Sequence, residues 1–322
     1  PFSTNSKGQG PAWANSLFED NAEYGFGFRL AVDANRTQLR AEIERIIETG
    51  TTDGLKTALD KMLAVWDKTD QEAKDAAQAV LDALPKALEE VYGESEPVLR
   101  KIIELKDFLV DKSVWIIGGD GWAYDIGYGG LDHVMAQGKN VNVLVLDTEV
   151  YSNTGGQKSK ATPRAATAKF AFAGKETPKK NLGMMMMSYG SVYVASVDMG
   201  ANMNQVVKAF KEAEAYPGPS IIIAYSPCIS HGYHMEKSEE QMTLAGKSGY
   251  WPLYRDNPEL AAAGKNPFVW ESKEPSVDFK DYILNEIRYK ALQVNFPDQA
   301  DKLYDQAEKD TQWRNDMYKK LA

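Results

Sequence analysis

The sequence is poor in cysteine, in basic residues and in long apolar runs, and each shortage disfavours a class of protein. Cys228 is the one cysteine among 322 residues, so no disulfide forms within the chain, which is typical of a reducing, cytoplasmic setting. Lys and Arg number 37 against 46 Asp and Glu; the net charge of −9 argues against binding to duplex nucleic acid. No stretch approaches the roughly 18–20 apolar residues of a membrane span. We therefore expect a cytoplasmic protein that binds neither nucleic acid nor membrane.

The residues that are present are typical of a folded α/β protein. Apolar residues make up 43% of the chain and charged residues 26%, as in globular proteins. Because the chain begins with Pro1 rather than Met, we expect it to be the C-terminal portion of a longer polypeptide. We predict four segments: an irregular N-terminal arm rich in glycine and aromatic residues (1–34), a helical insertion (35–110), an α/β core (111–249) and a C-terminal extension (250–322).

Residues 35–110 have the apolar spacing of amphipathic helices. Four sets of apolar residues recur with the i, i+3, i+4, i+7 period. They begin with Leu39, Ile43 and Ile46, with Leu55, Leu59 and Met62, with Ala73, Ala77 and Val80, and with Val98, Leu99 and Ile102. Pro85 should kink or end the third helix. The remaining faces are highly charged, so we expect this segment to be structural rather than catalytic.

From residue 114 onward, short apolar runs alternate with helical patterns. The predicted strands cover residues 114–118, 141–146, 192–197 and 219–225. This alternation predicts a mostly parallel sheet covered by helices, and such sheets bind ligands at the carboxyl ends of their strands. The segments that follow the strands should therefore lie along one edge of the sheet. These segments are Gly119-Asp120-Gly121, Thr148 to Asn153, and Pro227-Cys228.

Asp120 is the candidate metal ligand at this edge of the sheet. Its flanking glycines let the backbone approach a bulky anion, and a helix after Tyr124 would offer amides to phosphate oxygens. A carboxylate would repel a bare diphosphate unless a divalent cation lay between them, and Mg²⁺ prefers oxygen ligands. The Thr148 hydroxyl and the Val150 carbonyl, at the end of the next strand, would complete the set. Two alternative interpretations of the Gly-Asp-Gly motif remain: an ordinary glycine turn and a dinucleotide-binding site. The dinucleotide site fits less well, because the bulky Tyr124 stands where its third glycine or alanine belongs.

These motifs resemble those of the pyruvate:ferredoxin oxidoreductase family, whose members bind thiamine diphosphate. Most of the wider superfamily has an asparagine at the second ligand position, where this chain has Thr148, with Asn153 five residues on. The resemblance covers nearly the whole chain. It rests on Gly119-Asp120-Gly121-Trp122-Ala123-Tyr124-Asp125-Ile126-Gly127, on Thr148-Glu149-Val150-Tyr151-Ser152-Asn153-Thr154-Gly155-Gly156-Gln157, on Gly10-Pro11-Ala12-Trp13-Ala14-Asn15-Ser16-Leu17-Phe18-Glu19-Asp20 and on Ser248-Gly249-Tyr250-Trp251-Pro252.

The resemblance implies a thiamine diphosphate-binding fold and an enzyme that converts pyruvate and coenzyme A to acetyl-CoA and CO₂, passing electrons to ferredoxin or flavodoxin. It implies that Asp120, Thr148 and the Val150 carbonyl bind Mg²⁺, with Asn153 near the reacting thiazolium. The residues implied to line the cofactor are Gly119, Asp120, Gly121, Trp122, Thr148, Glu149, Val150, Tyr151, Ser152 and Asn153. The implied partners are the remaining domains, which hold the activating glutamate, and a second subunit. The alternatives are another 2-oxoacid as substrate, or a non-catalytic diphosphate-binding subunit.

Two roles are considered for Cys228. Taken alone it is a small buried apolar residue, since one cysteine cannot hold an iron–sulfur cluster that needs four thiolates. The resemblance implies instead that Cys228 is the fourth ligand of the [4Fe–4S] cluster nearest thiamine, with the other three upstream of Pro1. We expect His133 to be structural. His231 and His234 are candidates for tuning the cluster, with solvent-facing loop histidines as the alternative.

Residues 157–180 form a basic segment in an otherwise acidic chain. Its cations are Lys158, Lys160, Arg164, Lys169, Lys175, Lys179 and Lys180, against Glu176 alone. The segment predicts either a solvated loop or a docking site for an anion, such as coenzyme A or an acidic ferredoxin.

Overall fold

The computed structural model describes residue 8, residues 10–16 and residues 19–322. The chain divides into two compact units. One consists of residues 26–114, and the other of the described residues up to 25 together with residues 115–322. We call residues 26–114 the helical unit and the other described residues the α/β unit.

Four helices contribute to the helical unit. They are α1 (Asn21–Thr49), which begins in the α/β unit, α2 (Asp53–Ala64), α3 (Gln71–Glu90) and α4 (Ser95–Leu105). The side chains of Thr52 and Asp70 cap α2 and α3 by accepting hydrogen bonds from backbone amides. The four apolar faces predicted for this region meet in one buried core, from Leu39 on α1 to Ile102 on α4. The helical character of residues 35–110 is therefore confirmed.

Two local predictions for this region are wrong. Residues 21–34 are helical rather than irregular, and the rest of the predicted arm lies partly outside the described residues. Gly25 suggested a loop, but it is needed for packing: a Cβ there would lie 2.4 Å from Cγ1 of Ile116. Of the two outcomes predicted for Pro85, an end of α3 is wrong and a kink stays a prediction; α3 continues to Glu90 because Leu84 and Ala87 are buried in the core. That packing outweighs the local cost of proline.

The α/β unit is built on a six-stranded sheet. Its strands are β1 (Trp115–Gly119), β2 (Asn142–Asp147), β3 (Tyr193–Val197), β4 (Ser220–Tyr225), β5 (Tyr254–Asp256) and β6 (Phe268–Trp270). Their order is β1-β2-β4-β3-β5-β6, with β1 to β4 parallel and β5 and β6 antiparallel. The first four match the predicted strands to within one residue at each end. The predicted fold class, a mostly parallel sheet covered by helices, is confirmed.

Helices connect and flank these strands. They are α5 (Tyr128–Ala136), α6 (Leu182–Met187), α7 (Met199–Ala215), α8 (Ser238–Lys247), α9 (Pro258–Ala262), α10 (Phe279–Ile283), α11 (Ile287–Asn295) and α12 (Pro297–Leu321). Within the C-terminal region, the Tyr318 ring of α12 packs against Tyr254 of β5 and stacks on Phe268 of β6, with centroids 4.7 Å and 5.7 Å apart. Residues 250–322 therefore extend the sheet and pack on its added strands. Among the described helices, none is both long and apolar enough to cross a bilayer.

Candidate functional site

The ends of β1 and β2 bring three oxygen groups together. Asp120 follows β1, is 1% exposed, and its Oδ1 accepts hydrogen bonds from the Thr148 hydroxyl (2.7 Å) and amide (3.1 Å). The Thr148 hydroxyl lies 3.0 Å from the carbonyl oxygen of Val150. We call the Asp120 carboxylate, the Thr148 hydroxyl and the Val150 carbonyl the oxygen triad. Parallel pairing of β1 with β2, with Gly119 opposite Leu146, places all three at one edge of the sheet.

The spacing of the oxygen triad fits a small divalent cation. Neighbouring ligands of an octahedral Mg²⁺, each about 2.0–2.1 Å from the ion, lie about 2.9 Å apart. The two distances from the Thr148 hydroxyl, 2.7 Å and 3.0 Å, bracket that value. That hydroxyl has one proton and so donates to only one of its two neighbours at a time. Among the described residues no group of three His, Cys, Asp or Glu could hold a metal, so a cation here would need the mixed donor set of the triad.

The charge of Asp120 is poorly compensated. Burial and the nearby Asp147 raise the pKa of Asp120 to about 7, although hydrogen bonds from Ser159 and Thr148 oppose the change. Ser159 donates its hydroxyl to Oδ2 of Asp120 at 2.7 Å. Lys179, the cation that acts on this carboxylate, is itself held by Asp147 and Glu149. A divalent cation in the triad would supply the missing positive charge.

The glycines around Asp120 have different roles. A Cβ at Gly118 would lie 2.3 Å from the Trp122 ring, and one at Gly121 would lie 2.4 Å from the Tyr151 ring. Both glycines therefore make room for aromatic packing. A Cβ at Gly119 would meet nothing within 4 Å, and Gly119 is exposed. Of the three, Gly119 is the one that leaves space for a ligand.

The helix expected after Tyr124 begins earlier than predicted. A π-helical turn spans Gly121–Ile126 directly after Asp120, and α5 follows at Tyr128. The buried rings of Trp122 and Tyr124 within the turn explain the difference, because their packing extends the helical conformation back to the end of β1. Single π-turns are frequent at functional sites.

Glu149 belongs to a second polar group. Its carboxylate accepts hydrogen bonds from the Tyr250 hydroxyl at 2.7 Å, Arg288 at 2.8 Å and Lys179 at 3.2 Å. Burial would raise the pKa of Glu149, but Lys179 and Arg288 outweigh burial and lower it to about 2. Asp147 shares Lys179, and Glu286 binds Arg288 at 2.5 Å. We call Asp147, Glu149, Lys179, Glu286 and Arg288 the ionic cluster. The predicted role of Glu149 in lining the cofactor stays a prediction, and its side chain is engaged in this cluster.

The chain after Val150 leads to Cys228. Tyr151 is partly exposed, and Ser152 and Asn153 are exposed. The Ser152 hydroxyl lies 3.2 Å from the Cys228 sulfur, which also accepts the Ser230 amide at 3.4 Å. Cys228 is 5% exposed. The structure thus brings Cys228 beside the predicted cofactor loop, while the roles of Asn153 and Cys228 stay predictions.

The three histidines differ in their surroundings. His231 is fully buried, and its Nε2 donates to the carbonyl of Thr148 at 2.8 Å. Burial lowers the pKa of His231 to about 3, so the ring is neutral at ordinary pH. A solvent-facing position for His231 is therefore wrong, because the turn Ile229–His231 folds its ring against the β2 loop. His133 and His234 are exposed.

The basic segment 157–180 is only partly a solvated loop. Lys179 joins the ionic cluster, and the buried Lys175 donates to the Thr162 carbonyl at 2.6 Å. Arg164 forms a 2.6 Å ion pair with Asp310. These cations serve internal contacts, and the exposed Lys160 pairs with Asp125 at 3.0 Å, which leaves the exposed Lys158 and Lys169 for any anion dock.

Sequence reasoning missed the contacts by which several residues shape the site. These residues are Tyr124, Ser159, Lys179, His231 as a contact of Thr148, Tyr250 and Arg288. Tyr250 and Arg288 lie 101 and 139 positions from Glu149 along the chain. No local pattern marks pairs so distant.

Comparison with known proteins supplies a family for this geometry. Residues 103–224 match the family model "Thiamine pyrophosphate enzyme, C-terminal TPP binding domain". This match contains β1, β2, β3 and the whole oxygen triad. The suspected thiamine diphosphate fold is confirmed.

Curated relatives match the whole chain. The chain is 53% identical to a pyruvate:ferredoxin oxidoreductase of Moorella thermoacetica and 48% identical to a pyruvate-flavodoxin oxidoreductase of Klebsiella pneumoniae, and spans 27% of each. It is 49% identical to a mitochondrial pyruvate dehydrogenase [NADP(+)] of Euglena gracilis and spans 18% of it. The chain thus corresponds to about a quarter or less of these relatives. A solved 2-oxoglutarate:ferredoxin oxidoreductase from Magnetococcus marinus matches 56% of this chain and 67% of its own at 20% identity, with a TM-score of 0.36.

Proposed function

Since this chain carries the C-terminal TPP-binding domain of thiamine pyrophosphate enzymes, we propose that it holds the diphosphate and Mg²⁺ of thiamine diphosphate within a larger oxidoreductase. That enzyme decarboxylates pyruvate oxidatively and forms acetyl-CoA and CO₂. The names of the relatives support pyruvate over another 2-oxoacid and support an enzyme over a non-catalytic subunit. When bound, thiamine diphosphate supplies a carbanion-stabilising thiazolium for decarboxylation.

The oxygen triad is the observation that carries this proposal. One buried carboxylate with a raised pKa, one hydroxyl and one carbonyl meet within hydrogen-bond distance at the ends of neighbouring parallel strands. Asp120 as a carboxylate, the Thr148 hydroxyl oxygen and the Val150 carbonyl would hold the Mg²⁺. The open space beside Gly119 receives the diphosphate. Gly121, Trp122 and residues 149–153 would line the cofactor, with Asn153 near the reacting thiazolium end.

Cys228 would connect this site to electron transfer. We propose that it is one of four ligands of a [4Fe–4S] cluster whose other cysteines lie elsewhere in the enzyme. Its contact with Ser152 and the hydrogen bond from the Ser230 amide to its sulfur support this role, because hydrogen bonds to sulfur tune the reduction potentials of clusters. Ferredoxin or flavodoxin would accept the electrons. Relatives named for ferredoxin, flavodoxin and NADP(+) are 48–53% identical, so the identities do not favour one acceptor over another.

The remaining partners follow from the same proposal. The other three quarters of the enzyme supply the groups that activate the thiamine ring and bind coenzyme A, and two copies associate as a homodimer. A reducing, cytoplasmic setting suits a chain with a single, buried cysteine.

Replacing Asp120 tests the metal site. In the full-length enzyme, Asp120→Asn should weaken Mg²⁺-dependent binding of thiamine diphosphate about 100-fold or more, because the substitution removes the one charged ligand of the triad. Calorimetric titration with the cofactor at several Mg²⁺ concentrations measures this effect. Asp132→Asn is the matched control, since Asp132 lies on α5 and binds the Tyr189 hydroxyl at 2.7 Å. Unchanged cofactor binding and unchanged pyruvate-dependent reduction of ferredoxin in Asp120→Asn would disprove the metal assignment.

A further inference from the structure

His231 contacts the backbone between two members of the oxygen triad. Its Nε2 donates to the carbonyl of Thr148 at 2.8 Å. The amide of Glu149, on the other side of the same peptide group, donates to Oδ1 of Asp147 at 3.1 Å. Both polar atoms of the peptide that joins Thr148 to Glu149 are therefore held, and this fixes the plane of the peptide.

The orientation of that peptide matters for the triad. It sets the backbone angles on both sides, including the positive φ of 59° at Glu149, which non-glycine residues rarely adopt. Thr148 precedes the peptide and supplies a hydroxyl, and Val150 follows Glu149 and supplies a carbonyl. A rotation of the peptide would move these two oxygens apart.

The imidazole is itself held in place. The His231 amide donates to the Cys228 carbonyl at 3.0 Å, so the ring projects from a closed turn. The ring stacks on Tyr225 with centroids 6.2 Å apart, and Nδ1 lies 3.9 Å from Glu286. Nδ1 is buried and has no hydrogen-bond partner among the described residues. A buried unpaired nitrogen costs free energy, so an apolar residue would serve packing better.

We propose that His231 is a positioning residue that holds the peptide after Thr148, so that the oxygen triad has the spacing Mg²⁺ requires. The proposal rests on the proposed function, since it takes the triad as the metal site. His231 acts through the Thr148 backbone and does not touch the ion. The histidine also ties the metal loop to the turn that begins at Cys228.

Two amide substitutions test this role in the full-length enzyme. The amide nitrogen of Gln matches Nε2 in position, whereas that of Asn matches Nδ1 and falls short of the Thr148 carbonyl. We expect His231→Gln to bind Mg²⁺ within about threefold of the wild type in the presence of thiamine diphosphate. We expect His231→Asn to bind it about 10-fold to 100-fold more weakly, the range seen when a partner of a metal ligand is removed.

Tyr225→Phe is the matched control. It removes the buried bond between the Tyr225 and Tyr282 hydroxyls, beside His231, without touching Thr148. If Tyr225→Phe and His231→Asn lower the melting temperature alike but only His231→Asn weakens Mg²⁺ binding, the positioning role is supported. Equal Mg²⁺ affinities for His231→Gln and His231→Asn would overturn it. A wild-type enzyme that binds no Mg²⁺ with thiamine diphosphate would overturn the proposed function instead.

Discussion

Residues 147–150 serve two neighbouring polar groups that differ in charge compensation. In the ionic cluster, Asp147 and Glu149 share Lys179, and Glu149 and Glu286 share Arg288, so every carboxylate has a cationic partner. In the oxygen triad, the direct contacts of the Asp120 carboxylate among the described residues are hydrogen bonds from hydroxyls and an amide, and Lys179 acts on it from a distance. Both groups are buried, so the difference is not one of solvent access.

The contrast is sharpest between Glu149 and Asp120, since burial raises the pKa of Asp147 and Glu286 even within the ionic cluster. Lys179 and Arg288 lower the pKa of Glu149 to about 2, which keeps its carboxylate charged and locked. Burial raises the pKa of Asp120 to about 7, which leaves that carboxylate short of positive charge. The ionic cluster holds Glu149 in its positive-φ conformation, and that conformation lets the Val150 carbonyl reach the Thr148 hydroxyl. One group therefore stabilises the shape that the other presents to a cation.

The largest expected effect on stability comes from the ionic cluster. Glu149→Gln should destabilise the protein by about 3–5 kcal/mol, because it leaves Arg288 and Lys179 buried with fewer negative partners. Thermal unfolding of the wild type and of Glu149→Gln under the same conditions measures the change in the free energy of unfolding. The control is Glu274→Gln, which breaks an exposed ion pair with Lys319 and should cost less than about 1 kcal/mol. Similar losses in the two variants would mean that the cluster does not have the stabilising role described above.

The next largest effect is a pH dependence of the oxygen triad. Between its ordinary value of 3.8 and about 7, Asp120 keeps its proton in the folded metal-free protein but loses it on unfolding. The contribution of Asp120 to stability therefore falls as the pH rises through this window and is constant above it. Mg²⁺ competes with that proton, so its affinity should rise about tenfold per pH unit up to about pH 7 and then level off.

The measurement is the Mg²⁺ dissociation constant from pH 5.5 to 8, corrected for the titration of free thiamine diphosphate. Asp120→Asn should remove the part of the slope that belongs to the protein. If the Mg²⁺ affinity of Asp120→Asn still changed with pH in the same way, the titrating group would not be Asp120.

The sequence predicts the strands and the oxygen triad better than the ionic cluster beside them. Strands β1 to β4 were predictable because each is a short apolar run, and β2, β3 and β4 are mostly buried. The meeting of Asp120 with Thr148 was predictable because the carboxyl ends of parallel neighbours share one edge. Both conclusions follow from local patterns and a general rule of topology.

The ionic cluster could not be predicted in this way. Lys179 lies in a segment whose cations suggested a solvated patch, and nothing near it in sequence shows that Asp147 and Glu149 will surround it. Arg288 comes from α11, far along the chain. Long-range pairing of charges depends on the complete fold, and only the fold shows which carboxylates lack a cation.

The smallest expected effect concerns Ser159, which sequence reasoning missed. Its hydroxyl donates to the second oxygen of Asp120 at 2.7 Å and lowers the pKa of that carboxyl. Ser159→Ala should raise the pKa of Asp120 further and weaken Mg²⁺ binding about fivefold, which corresponds to one hydrogen bond of about 1 kcal/mol. The Mg²⁺ titration that measures the pH dependence detects both changes. Ser188→Ala is the control, because the Ser188 hydroxyl bonds the Met185 carbonyl on an exposed turn. If Ser159→Ala left both the affinity and its pH midpoint unchanged, the Asp120 charge would be set by groups other than its direct neighbours, and the contrast with the ionic cluster would lose its physical basis.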